Sequence, residues 1–159
     1  MMDANFVRRY AHPMGANAKL YDRDFYAWTR EQAELLRAGR FAEADLDNIV
    51  EEIESMGKRE RRELVSRIGA LLLHLLRWRH QPGFRGVSWR LLVKEQRLGV
   101  AAFLAESPSL QPSLPDAVVR AWPLVRLRAE RETGLDASAF PAQCPWTASQ
   151  ALDDAFWPE

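Results

Sequence analysis

Glu60, Arg67 and His74 stand seven residues apart, a carboxylate, a guanidinium and an imidazole in one heptad line. These are side chains that acid–base chemistry or anion capture needs. Glu60 would serve as base or ligand, His74 as acid or base near neutral pH, and Arg67 as the group that holds an anion. On one continuous helix each residue turns by about 100°, so positions seven apart nearly coincide. With Ile53 as the centre of the apolar face, Leu46, Val50, Leu64, Leu71, Leu75 and Trp78 fall within about half a right angle of it. Glu60 and Arg67 fall there too, with His74 at the edge. Gln96 sits among Trp89, Val93, Val100 and Phe103, and Gln32 lies between Trp28 and Leu35. The expectation is a polar seam of Gln32, Glu60, Arg67, His74 and Gln96, read first as an ion-pair and hydrogen-bond network that fixes helix register. In that reading Glu60→Ala costs about 1–3 kcal/mol. Two readings compete with it: a hydrolase or nuclease site on Glu60, Arg67 and His74, and a helix break at Gly57 or Gly69 that turns Glu60 outward.

Other chemistry is weakly signalled. Of Glu51, Glu52 and Glu54 only the outer two are three apart, no Glu-x-x-His follows, and His74 and His80 face about 120° apart, so no metal or other cofactor is expected. Cys144 in FPAQCPW has no second cysteine and no nearby histidine, and reads as a packed thiol. Neither a Gly-rich phosphate loop nor a Gly-x-Ser-x-Gly elbow is present.

Charge is distributed unevenly. Residues 41–56 carry Glu43, Asp45, Asp47, Glu51, Glu52 and Glu54 with no Lys or Arg after Phe41. Residues 77–97 carry Arg77, Arg79, Arg85, Arg90, Lys94 and Arg97 against Glu95 alone, with Trp78, Phe84 and Trp89 interleaved. Cations between aromatics hold phosphates and stack bases, which makes region 77–97 a candidate anion or nucleic-acid patch. Trp78 and Trp89 fall on the buried stripes, however, so the favoured reading packs the two oppositely charged faces together, within the chain or across a dimer.

The elements that position these residues are helical. DRDFYAWTREQAELLRAG predicts a helix capped by Asp22 and closed by Gly39. A second begins near Asp45, and Gln81-Pro82-Gly83 stops it near His80. Ser88 is the expected cap of the next, which runs to Ser107-Pro108 with Trp89, Leu92, Val93, Val100, Phe103 and Leu104 inward. Another spans about Pro115 to Thr133, where Pro123 predicts a kink or two short pieces. Thr147 and Gln150 have capping-box spacing in an otherwise extended tail. The fold class is therefore all-α: an irregular bundle of four to six helices with a partly extended C-terminal tail, forming one domain over 20–159 after a loose arm at 1–19.

The 159 residues include 22 basic and 22 acidic side chains, so the chain as a whole has no polyelectrolyte bias. The nearly apolar run from Ile68 to Leu76 is too short to span a bilayer. The N-terminus lacks an apolar signal core, and a single cysteine fits a reducing cytoplasm.

LYDRDFYAWTREQAELLRAG, NIVEEIESMGKRERREL, LLLHLLRWRHQP, SWRLLVKEQR, SPSL and FPAQCPWTASQALDDAFWPE resemble, in that order, the bacterial domain-of-unknown-function family 29. The resemblance covers about residues 20 to 158. It implies a helical, bacterial, soluble protein and supplies no activity. Pro123 and the arm before Leu20 depart from the family pattern. The expected function is a non-enzymatic protein-interaction module in the cytoplasm, with a protein partner or self-association and no membrane. Nucleic-acid association through 77–97 is the first alternative.

Overall fold

The structure is a computed structural model that describes residues 16–159, with side chains from residue 20 onward. Among these residues there are six α-helices and no strand: α1 (Ala16–Arg23), α2 (Phe25–Arg37), α3 (Leu46–His80), α4 (Val87–Glu106), α5 (Leu114–Thr133) and α6 (Ala148–Leu152). Short 3-10 turns at Pro82–Phe84, Pro108–Ser113 and Ala137–Ala139 connect them. The all-α class holds. Of the expected arm, residues 1–15 lie outside the described residues and the last four belong to α1. The chain divides into two compact units, Met1–Gly57 and Lys58–Glu159.

In the first unit the cap of α2 is Asp24, whose side chain accepts from the Ala27 N–H at 3.0 Å, and not Asp22. Asp22 lies inside α1, a separate helix where the sequence pattern predicts the start of α2. Gly39 closes α2 with φ 69°, a left-handed conformation that glycine enters without steric cost. The turn into α3 is held by Asp45. Its carboxylate accepts from Trp28 Nε1 and Asn48 Nδ2, while its N–H donates to Gln32 Oε1 at 2.7 Å. Trp28, Leu35 and Ala44 are the buried apolar residues here.

Helix α3 is continuous through Gly57 and Gly69, and at 1.5 Å per residue its 35 residues are about 50 Å long. No atom lies within 4 Å of a Cβ placed on Gly57. A Cβ on Gly69 would sit 3.5 Å from Ala121 Cβ and 3.8 Å from Val125, so this glycine marks the close approach of α3 to α5.

The second unit is built on the C-terminal half of α3. Leu64, Ile68, Leu71, Leu72, Leu73, Leu75, Leu76 and Trp78 are all buried, and burial nearly all round the helix means that it is wrapped. α4 supplies Val93, Val100, Phe103 and Leu104, α5 supplies Val118, Trp122 and Val125, and the tail adds Phe140 and Trp146. Two details differ from the sequence expectation. α5 is one helix across Pro123 and not two short pieces: Pro123 and Val119, whose carbonyl loses its helical donor, are exposed, so that carbonyl is open to solvent. α4 starts two residues early at Val87 with Gly86 as its cap, so Ser88 is not the cap.

The tail has little regular structure, so its carbonyls need donors. Arg97 Nε donates to Ala151 O at 2.9 Å and its Nη2 to Phe156 O at 2.6 Å. Trp122 Nε1 donates to Pro141 O at 3.0 Å and Arg126 Nη2 to Ala137 O at 3.1 Å. Thr147 and Gln150 form the expected capping box on α6. Arg97→Met keeps the volume of the stem and removes the charge-assisted donors. It is expected to destabilise the protein by about 2–4 kcal/mol in urea unfolding and to shift tryptophan emission as the tail loosens.

Candidate functional site

The heptad line does not form a site. Seven residues of helix rise about 10 Å, so Glu60 and His74 are about 21 Å apart along a straight axis and cannot act on one atom. Glu60 is exposed and has no ion-pair partner among the described residues. Arg67 pairs instead with Glu63, Nε to Oε1 at 2.7 Å, though off the axis of a good hydrogen bond. Its guanidinium crosses α4 beside Gly99 and lies 5.1 Å from the Phe103 ring centroid. Gln96 is half-buried. Gln32 is buried in the first unit, occupied with the Asp45 backbone. The helix is unbroken, so the break at Gly57 or Gly69 is what fails, and the seam reading is corrected once: Glu60 has no ion-pair partner among the described residues, Arg67 pairs with Glu63 and Gln32 serves the Asp45 backbone.

Because Glu60 is exposed and unpaired, Glu60→Ala is expected to change stability by no more than about 0.5 kcal/mol in urea unfolding, well below the 1–3 kcal/mol of a buried network.

His74 is half-buried. Burial lowers its pKa below the usual imidazole value and the nearby Arg77 lowers it further, while Glu132 and Glu95 oppose the shift. Burial also lowers His80, with Arg79 adding to the effect, and His80 packs edge-on against Phe140 at 5.0 Å. Both are therefore held as neutral, structural imidazoles.

A groove of about 860 Å³ opens in the second unit between the start of α5 and residues 142–149. Pro112, Pro115, Trp122, Cys144 and Trp146 are among its lining residues, and none of the lining residues is Asp, Glu, Lys, Arg or His. Burial raises the Cys144 thiol pKa. No base stands in the groove to take its proton, so the geometry offers no activated nucleophile.

The basic region 77–97 is split by the structure. Arg97 is 3% exposed and serves the tail, so it leaves the anion patch. The signal for this was present in the sequence: Arg97 lies on the Val93, Val100, Leu104 line, where an inward side chain is required. Trp78 is buried against Trp157, ring centroids 4.7 Å apart. Arg77 pairs with Glu132 at 2.9 Å and lies 4.8 Å from the Trp89 centroid. Arg79, Arg85, Arg90 and Lys94 remain exposed with no carboxylate partner among the described residues.

The two imidazoles generate a pH dependence. A histidine whose folded pKa lies below its unfolded value of about 6.5 stabilises the fold fully above that value, and the contribution is lost as pH falls through the folded pKa. The melting temperature is expected to drop as pH falls below about 6.5, and a His74→Gln/His80→Gln variant is expected to drop less. An equal drop in the variant would show that the imidazoles do not carry the linkage.

No helix among the described residues is long and apolar enough to cross a membrane. No curated protein and no solved structure matches the chain. Residues 20–157 match the family model described as Domain of unknown function DUF29, and the chain belongs to that family.

Proposed function

We propose that the protein is a non-enzymatic interaction module that self-associates through the N-terminal part of α3. The observation that carries this reading is an apolar row with no cover among the described residues: Val50, Ile53 and Met56 are 54, 62 and 59% exposed. The first unit buries three apolar side chains, Trp28, Leu35 and Ala44, and leaves Phe25, Tyr26 and Phe41 exposed as well. A piece this small lacks the core to hold such a face open to water without a partner.

The charge order on the same helix favours a second copy as the partner. Acidic residues Asp47, Glu51, Glu52 and Glu54 precede Gly57, and Lys58, Arg59, Arg61 and Arg62 follow it with Glu60 and Glu63 among them, so the following stretch is basic only in balance. Two such helices crossing antiparallel near Gly57 set each acidic half against the partner's basic half, an isologous two-fold contact. Gly57 has open space around its Cβ position, which lets the backbones approach. The groove and the separated polar residues offer no convergent acid and base, which favours a recognition role over a hydrolase or nuclease.

Sedimentation velocity is the test. The protein is expected to sediment as a dimer at micromolar concentration and to weaken as salt rises. Ile53→Asp places a charge in the apolar row and is expected to give a folded monomer with unchanged helicity. A wild-type chain that stays monomeric at low salt and at 100-fold higher concentration would refute the proposal.

A further inference from the structure

The turn Pro82–Phe84 and the first turn of α4 carry an aromatic and cationic surface whose internal contacts leave an aromatic ring and two guanidinium groups exposed. Phe84 is 68% exposed, and its ring stacks on Trp89 at 6.0 Å with the planes 18° apart. Trp89 is half-buried and also receives the Arg77 guanidinium, so it forms a rigid base on which Phe84 is displayed. Beside this pair, Arg85 and Arg90 approach one ring: their guanidinium carbons lie 5.3 and 5.8 Å from the Trp78 centroid. Arg85 Nε donates to the Trp78 carbonyl at 2.8 Å, which fixes the guanidinium and leaves its two terminal nitrogens unengaged. The Arg90 guanidinium has no hydrogen bond among the described residues and, like that of Arg85, no carboxylate partner.

Two like charges held at one indole repel each other, and nothing in the second unit neutralises them. The contrast with Arg77 is informative. That guanidinium, also at an indole, is satisfied by Glu132 at 2.9 Å. The chain can place a carboxylate opposite an arginine here and does so for one of three. The other two are oriented donors awaiting an anion.

We infer that this surface binds single-stranded nucleic acid: Phe84 stacks an unpaired base and Arg85 and Arg90 hold the adjoining phosphodiester. The exposed aromatic face is what selects a single strand. A duplex presents phosphates but hides its base faces, and a free phosphate has no group to use Phe84. Lys94, one turn beyond Arg90 on α4, extends the cationic track along the strand. Trp78 and Trp89, which the sequence places among the aromatics of this region, are inner supports, and Phe84 is the residue that meets the ligand. This inference is independent of self-association, because none of its residues lies on the α3 row.

The experiment is fluorescence anisotropy of the full chain with labelled single-stranded RNA and DNA of about 15 nucleotides, a length one such site accommodates. Matched duplexes, inorganic phosphate as competitor and anionic phospholipid vesicles complete the comparison. Single strands are expected to bind at about 50 mM salt and to weaken steeply by about 200 mM. Phe84→Ala is expected to weaken binding about 5- to 100-fold, and Phe84→Trp to restore it. Arg90→Gln breaks no internal hydrogen bond. It is expected to weaken binding to all sequences alike and to lower the log–log salt slope by about 0.7, the value for one phosphate contact on a single strand. Ile53→Asp is expected to bind as the wild type does. Absence of single-strand binding at low salt overturns the inference. So does binding that Phe84→Ala and Arg90→Gln both leave unchanged, or binding to vesicles without binding to oligonucleotides. Equal affinity for duplex and single strand overturns the stacking role of Phe84 and with it the inference.

Discussion

A guanidinium inside an apolar core must be given acceptors, and that requirement organises the C-terminal part of the second unit. Arg97 projects inward from α4 between Val93 and Val100, where an unpaired charge would be strongly destabilising. Burial pulls its pKa below the usual guanidinium value, with Asp154 and Asp153 opposing the shift. The tail after α5 has the complementary deficiency, since outside α6 its carbonyls lack a helical or sheet ladder. Arg97 and the carbonyls of Ala151 and Phe156 satisfy one another. Trp157 then lies 5.2 Å from the same guanidinium and 4.7 Å from Trp78, so the end of the chain closes over the end of α3. Trp122 and Arg126 repeat the device at the start of the tail. Removing Arg97 and Trp78 from the surface is also what leaves Phe84, Arg85 and Arg90 as its exposed remainder.

How far the sequence discloses this can be judged residue by residue. Helices, their stops at Gly39, Gln81 and Ser107, and the capping box at Thr147 are local features, and local chemistry determines them. Pro123 misled because a proline weakens a helix only to the extent that the freed carbonyl cannot reach water, and its exposure is a tertiary fact. The seam misled for a geometric reason. A helical wheel projects Glu60, Arg67 and His74 onto one spot and discards the axial distance between them. Arg97 was read as a surface cation because its charge was weighed above its place on the apolar stripe. The carbonyls that satisfy it come from more than fifty residues away and have no sequence signature.

The apolar periodicity of α3 carries a further lesson. Leu46, Ile49, Val50, Ile53 and Met56 establish that a face wants covering, and the same pattern beyond Leu64 establishes the same. In the second half the cover is found within the unit, residue by residue. In the first half Val50, Ile53 and Met56 stay in water. Periodicity records the demand and is silent on which chain meets it. The polar stretch 57–63 between them stays helical without tertiary support because Lys, Arg and Glu are strong helix formers and Glu63 reaches Arg67 one turn on.

The division of labour among the ionisable groups argues for recognition over chemistry. Burial holds His74 and His80 neutral and raises the Cys144 thiol, each shift acting against the charged form and none created by a neighbouring acid–base partner. A catalytic site shows the opposite arrangement, with pairs of groups whose environments push their pKa values apart toward complementary roles. Here the buried groups are committed to the fold: Arg97 to the tail, Gln32 to the entry of α3 and Arg77 to Glu132. The groups left uncommitted are surface cations beside an exposed aromatic ring, and an apolar row flanked by opposite charges. Such groups are of the kind that supply affinity and orientation to a binding partner.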